Sequence, residues 1–82
     1  MRERTKPLGD KNLVGDKVTA LRKQHNMKQK ELLARLQVMG VSISASSLSD
    51  LERQIKPVTD KELVALADIF GITTDVLLGR PQ

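Results

Sequence analysis

Residues 29–53 read QKELLARLQVMGVSISASSLSDLER, and this stretch decides the fold. Leu32, Leu33 and Leu36 give its first half one apolar side at helical spacing, and Leu48 with Leu51 does the same for its second half. Between them the chain breaks at Gly40. Ser46, Ser49, Asp50 and Arg53 fall at i, i+3, i+4 and i+7, so they share the other side of the second helix. None of the four is apolar, and burial therefore does not explain them. A short helix offering small polar side chains, backed by a partner helix, has the shape that enters a DNA major groove.

Helical signals continue on both sides of this pair. Val14, Val18 and Leu21 repeat at i, i+4 and i+7, predicting a first helix over residues 13–25 that Asn26 stops in a left-handed conformation. The second helix begins near Lys28, with Met27 and Leu32 at the spacing of a hydrophobic staple, and ends at Gly40. Lys28 has no acceptor with which to cap it. Ser44 caps the third helix through the amides of Ser46 or Ser47. A fourth opens on a capping box of Thr59 and Glu62, stapled by Val58 and Leu63. It continues through Leu66, Ala67 and Phe70 to Gly71. Thr73 caps a short fifth helix carrying Val76, Leu77 and Leu78, and Gly79 and Pro81 close the chain. No strand-like alternation appears, so the fold class is all-α.

Eighty-two residues make one small domain, and the absence of cysteine removes disulfides and thiolate metal sites. The apolar runs are too short to span a membrane, and the N-terminus MRERTKPLGDKN has no apolar stretch resembling a secretory signal. A cytoplasmic location is the expectation. The net charge of +4 is unevenly spread: residues 1–41 hold ten Lys/Arg against four Asp/Glu, whereas residues 42–82 hold four against six. A basic N-terminal half suits a polyanionic partner. The domain is expected over residues 13–79, flanked by a flexible basic arm at 1–12, with Arg2, Arg4 and Lys6, and by a tail at 80–82.

The chain resembles the phage-repressor (Cro/CI, or XRE) helix-turn-helix family. VGDKVTALRKQHNMKQKELLARL (residues 14–36) is similar to that family's first two helices, ISASSLSDLER (43–53) to its recognition helix, and PVTDKELVALADIFGITTDVLLG (57–79) to its last two. The resemblance implies a five-helix, lambda-repressor-like bundle that binds double-stranded DNA to regulate transcription. It implies base-facing positions at Ala45, Ser46 and Asp50, with Ser49 beside them. Phosphate contacts are implied at or near Gln29, Ser44, Arg53 and Lys56. It also implies that Arg22 and Glu52 pair structurally. The residues agree with that last point, because Glu52 adjoins Leu48 and Leu51 on the inward side of its helix, where an unpaired carboxylate is costly.

Three departures from the family pattern stand out. Six residues, QVMGVS, separate Leu36 from Ile43 where the family usually places a single glycine, so the second helix is expected to gain about a turn before Gly40. Lys28 stands where the family has a capping Thr, Ser or Asn. A cation there opposes the helix dipole, and makes more sense if its ammonium reaches a phosphate. The reading face is chemically weak: Ala45 offers a methyl group, Ser46 and Ser49 bond ambiguously, and Asp50 accepts from cytosine N4 but repels phosphate. A modest sequence preference, leaning on DNA shape and bridging water, follows.

Catalysis finds no foothold. His25, the single histidine, sits at a helix end without a nucleophile partner, no phosphate-binding glycine loop follows a strand, and no cofactor, metal or small-molecule substrate is indicated. The leading expectation is a repressor-like DNA-binding homodimer, with Val76 and Leu78 as its candidate interface. The rival is a protein-interaction module, antitoxin-like or scaffold, that keeps the fold and grips a protein with its third helix.

Overall fold

In the computed structural model the described residues are 11–80. The arm residues Arg2, Arg4 and Lys6, and Pro81 in the tail, lie outside them. Five helices follow in order: α1 (Gly15–Gln24), α2 (Gln29–Val38), α3 (Ala45–Glu52), α4 (Asp60–Phe70) and α5 (Thr74–Leu77). The protein is all-α, and no strand occurs among the described residues. α3 packs on α1 and α2, α2 also packs on α4, and α4 carries α5. Leu32, Leu36, Leu48, Leu51, Leu66 and Leu77 are the largest fully buried side chains apart from Val14 and Val18. The leucines read as apolar stripes on four helices thus meet in one core, with Phe70 and Met27 at its edge.

The caps match the chemistry of their residues. Ser44, Thr59 and Thr73 each accept a hydrogen bond from the amide three residues on. Glu62 returns the favour to the Thr59 amide at 2.9 Å, completing the capping box at α4. At α2 only half of such a box exists: the Glu31 carboxylate accepts from the Lys28 amide at 3.2 Å, while the Lys28 ammonium has nothing to accept with.

Every helix ends in the same way. Asn26, Gly40, Gln54, Gly71 and Gly79 have positive φ. In each case that residue's amide and the next one return to carbonyls of the last turn, as in Asn26 N–H to Lys23 O and Met27 N–H to Arg22 O. Gln54 was not evident as a stop from the sequence, because glutamine carries a Cβ that disfavours the left-handed region. Its side chain explains the choice, since Nε2 donates to the Asn12 carbonyl at 2.9 Å.

Asn12 joins the start of α1 to the end of α3. Its Oδ1 accepts from the amides of Val14 (3.0 Å) and Gly15 (2.8 Å), and its Nδ2 donates to the carbonyls of Leu51 (3.1 Å) and Lys56 (2.8 Å). The Lys11 amide adds a bond to the Gln54 carbonyl. The docked chain therefore includes Lys11 and Asn12, which the sequence reading put at the end of the arm. α1 itself begins at Gly15, two residues inside the expected range, because Asn12 caps it from outside.

Close approach at this joint requires Gly15. A Cβ there would overlap the Leu51 carbonyl oxygen, a backbone atom that cannot rotate away. Alanine is normally favoured over glycine inside a helix by about 1 kcal/mol. We nevertheless expect Gly15→Ala to destabilise the protein by about 1–3 kcal/mol through overpacking, measured by urea denaturation. A gain in stability would show that α1 and α3 do not meet in this way.

Candidate nucleic-acid interface

The polar side of α3 faces out. Ser44, Ala45 and Ser46 at its N-terminal end are exposed, as is Arg53 at its C-cap, while Ser49 and Asp50 between them are half-exposed. On the opposite side Leu48, Leu51 and Glu52 are buried. The Ser44 hydroxyl accepts from the Ser47 amide at 3.1 Å and lies 3.3 Å from the Ser46 hydroxyl. Among the described residues, the side chains of Ser49, Asp50 and Arg53 make no internal hydrogen bond.

The long connector leaves this face open. α2 runs to Val38 with Met39 as its cap, close to the extra turn expected, and Gly40 reverses the chain. Val41 and Ile43 then turn inward and are buried, and Gln37 Nε2 donates to the Ile43 carbonyl at 3.4 Å. Anchoring by two apolar side chains fixes the entry to α3 even though the turn is long. Ser42, between them, points to solvent with Ser44.

What holds α3 in place is the Glu52 carboxylate, only 5% exposed. Arg22 meets it through two nitrogens, Nε to Oε2 at 2.9 Å and a terminal nitrogen to Oε1 at 3.1 Å. Thr19 Oγ1 (3.1 Å) and Gln29 Nε2 (3.0 Å) also donate to Oε1. Arg22 further donates to the Met27 carbonyl at 2.9 Å, so the same guanidinium ties down the α1–α2 link. A buried carboxylate with four donors is fully satisfied, which is the condition for its burial.

The residues expected at phosphates divide into two groups. Lys28 and Arg53 are exposed, and Ser44 is exposed at the N-terminus of α3. Gln29 is half-buried with one amide hydrogen spent on Glu52, which leaves its second hydrogen and its carbonyl for other partners. Lys56 is placed differently from expectation. Its ammonium donates to the Pro57 carbonyl at 2.8 Å and to Glu62 at 3.2 Å, where the nearly buried Glu62 carboxylate needs a counter-charge. In this conformation Lys56 serves the start of α4 and not an open anion site.

Lys30 is a residue that the sequence reading passed over. With Gln29, Leu33, Ala45 and Leu48 it lines a cleft of about 280 Å³ between the first turn of α2 and the N-terminal half of α3. Its position one residue after Gln29 was the available signal. Val76 and Leu78, the candidate interface from the sequence, are half-buried, and Leu78 packs on the core. The exposed large apolar residues are Leu13 ahead of α1, Val38 and Met39 at the end of α2, Ile55 after α3 and Val64 on α4; of these only Val38, Met39 and Val64 lie together, around two adjoining clefts. His25 is exposed at the end of α1, its ring centroid 5.5 Å from that of Phe70. No group of metal-ligating side chains occurs among the described residues, and no helix of the structure is long and apolar enough to cross a membrane.

Two helices joined by a turn, with the second presenting a polar face, define a helix-turn-helix protein. The helix-turn-helix family model matches residues 18–77, and the chain belongs to that family, in its XRE-type, Cro/CI-like form. No curated protein and no solved structure matches it. The family is one of DNA-binding transcriptional regulators, and that general function is this protein's.

The two arginines near α3 should behave oppositely when truncated. Arg22→Ala leaves Glu52 buried without its counter-charge and is expected to cost about 3–5 kcal/mol in urea denaturation. Arg53→Ala, at an exposed site, should fall within about 0.5 kcal/mol of the parent. An unchanged melting temperature for Arg22→Ala would remove Glu52 as the organising group.

Proposed function

We propose that the protein is a sequence-dependent, repressor-like regulator that lays α3 in the DNA major groove. The observation that carries this reading is the outward face of α3, whose Ser49, Asp50 and Arg53 side chains make no hydrogen bond among the described residues. Ala45, Ser46, Ser49 and Asp50 face base edges, with Ala45 against a thymine methyl and Asp50 accepting from a cytosine amine. Lys28, Lys30 and Arg53 meet phosphates as cations, while Gln29 and the α3 amides beside Ser44 add neutral contacts. The Gln29 contact has a structural backing: the bond to Glu52 orients the same amide that reaches the backbone. Because phosphate contacts fix register and small side chains read the bases, preference for one sequence is modest and affinity depends strongly on salt.

A duplex titration at several salt concentrations tests the electrostatic part. Three cations per domain predict a slope of log K against log salt of about −3 for each bound domain, reduced by about 1 in Arg53→Ala. A flat response, or no retardation of any duplex, would favour a protein partner for α3.

Selection of bound duplexes from a random pool tests the reading face. Asp50→Ala is expected to relax the selected base opposite it and to tighten binding to arbitrary duplex, since a charge that repels phosphate is gone. Ser46→Ala should shift a neighbouring position, each change being worth about 1–3 kcal/mol of discrimination at most. If neither variant alters the selected motif, these residues do not read bases.

A further inference from the structure

The end of α2 and the outer side of α4 carry apolar side chains that the bundle does not use. Val38 is 86% exposed, Val64 52% and Met39 44%. They are contiguous: a cleft of about 400 Å³ lies between Met39 and Val64, and it shares Met39 and Asp68 with a second of about 420 Å³ that takes in Val38 and Ile69. Val38 and Met39 belong to the stretch by which this chain exceeds the usual family turn. A lengthened helix that ends by holding valine and methionine in water marks a contact surface.

Charge complementarity says what covers it. Arg35 stands on the α2 wall of this groove and Asp68 on the α4 wall. Neither has an ion-pair partner among the described residues. The α4 wall adds Asp60 and Lys61, so acidic and basic groups around the apolar strip balance. A neutral rim with opposite charges on opposite walls is self-complementary. When a second copy docks across a twofold axis, Arg35 of each meets Asp68 of the other, and Val38, Met39 and Val64 pair in the middle.

We infer that this α2–α4 groove is the site at which two copies of the chain associate, through an apolar strip of Val38, Met39 and Val64 flanked by reciprocal Arg35–Asp68 pairs. The inference deepens the reading as a regulator, because a twofold dimer presents two copies of α3 to two half-sites. It moves the self-association surface from α5, where Leu77 is buried and Leu78 packs on the core, to the C-terminal end of α2 and the outer side of α4.

Sedimentation equilibrium of the chain alone, from about 1 μM to about 1 mM, tests this over the range of a weak to moderate dimer. The wild type is expected to dimerise. Val38→Asp, Arg35→Asp and Asp68→Arg should each weaken association at least about tenfold, because each buries a charge or sets like charges together. All three positions lie on the groove surface, and circular dichroism checks that the variants stay folded. Mixing R35D with D68R is the decisive arm. One chain is then acidic at both contact positions and the other basic at both, so the mixture should form a heterodimer that neither variant forms as a homodimer. A wild type monomeric throughout, or a dimer indifferent to all three changes, overturns the inference. Dimerisation on this face without binding to any duplex would sink the regulatory reading alone, whereas duplex binding by a protein monomeric throughout would sink this inference alone.

Discussion

The Glu52 carboxylate, at the inner end of α3, takes two hydrogen bonds from Arg22 and one each from Thr19 and Gln29. Through those four bonds a single buried anion joins α1, α2 and α3. A leucine core of this size can hold three helices together without fixing how far each is rotated, because apolar contact is not directional. A carboxylate with a forked guanidinium on one side is directional. It fixes the rotation of α3 about its own axis, and with it which residues look outward. The polar stripe is outward because Glu52 is inward.

Position along the α3 axis is fixed separately. Asn12 uses its carbonyl oxygen on the first amides of α1 and its amide on the carbonyls of Leu51 and Lys56, while Gly15 allows the backbones to touch. At the other end Val41 and Ile43 insert into the core and hold the entrance to α3. A connector of this length would otherwise let α3 drift. The structure therefore accommodates an extended turn without losing the presentation of the serine face, and two of the extra residues, Val38 and Met39, stay exposed.

The helices were legible in the sequence because apolar spacing and short-range caps are local properties. Ser44, Thr59, Thr73, Gly40, Gly71 and Gly79 act where their chemistry says they act. The expected pairing of Arg22 with Glu52 drew on family resemblance and on the inward register of Glu52, and the two side chains do lie in contact. What escaped was long-range. Asn12 looks like a polar residue in a leader until α3 is placed beside it, and Gln54 looks like any surface glutamine until Asn12 is there to receive it. The resemblance implies a phosphate contact at or near Lys56, yet its ammonium lies against Glu62, whose role in the capping box gives no sign in the sequence that it also needs a counter-charge. The partial burial of Val76 and Leu78 is illegible for a related reason: a four-residue helix has no pattern long enough to show which side is buried.

The internal cluster at Glu52 sets which side of α3 points outward, and we propose that this serine side meets a duplex. Backbone amide chemical shifts, followed by NMR as duplex DNA is titrated into the folded protein at low salt, report on it most directly. The largest changes are expected at Gln29, from Ser44 to Asp50 and at Arg53, with α5 unmoved. Bound DNA that leaves the amides of Ser46 and Ser49 undisturbed, while shifting those of α5, would contradict it.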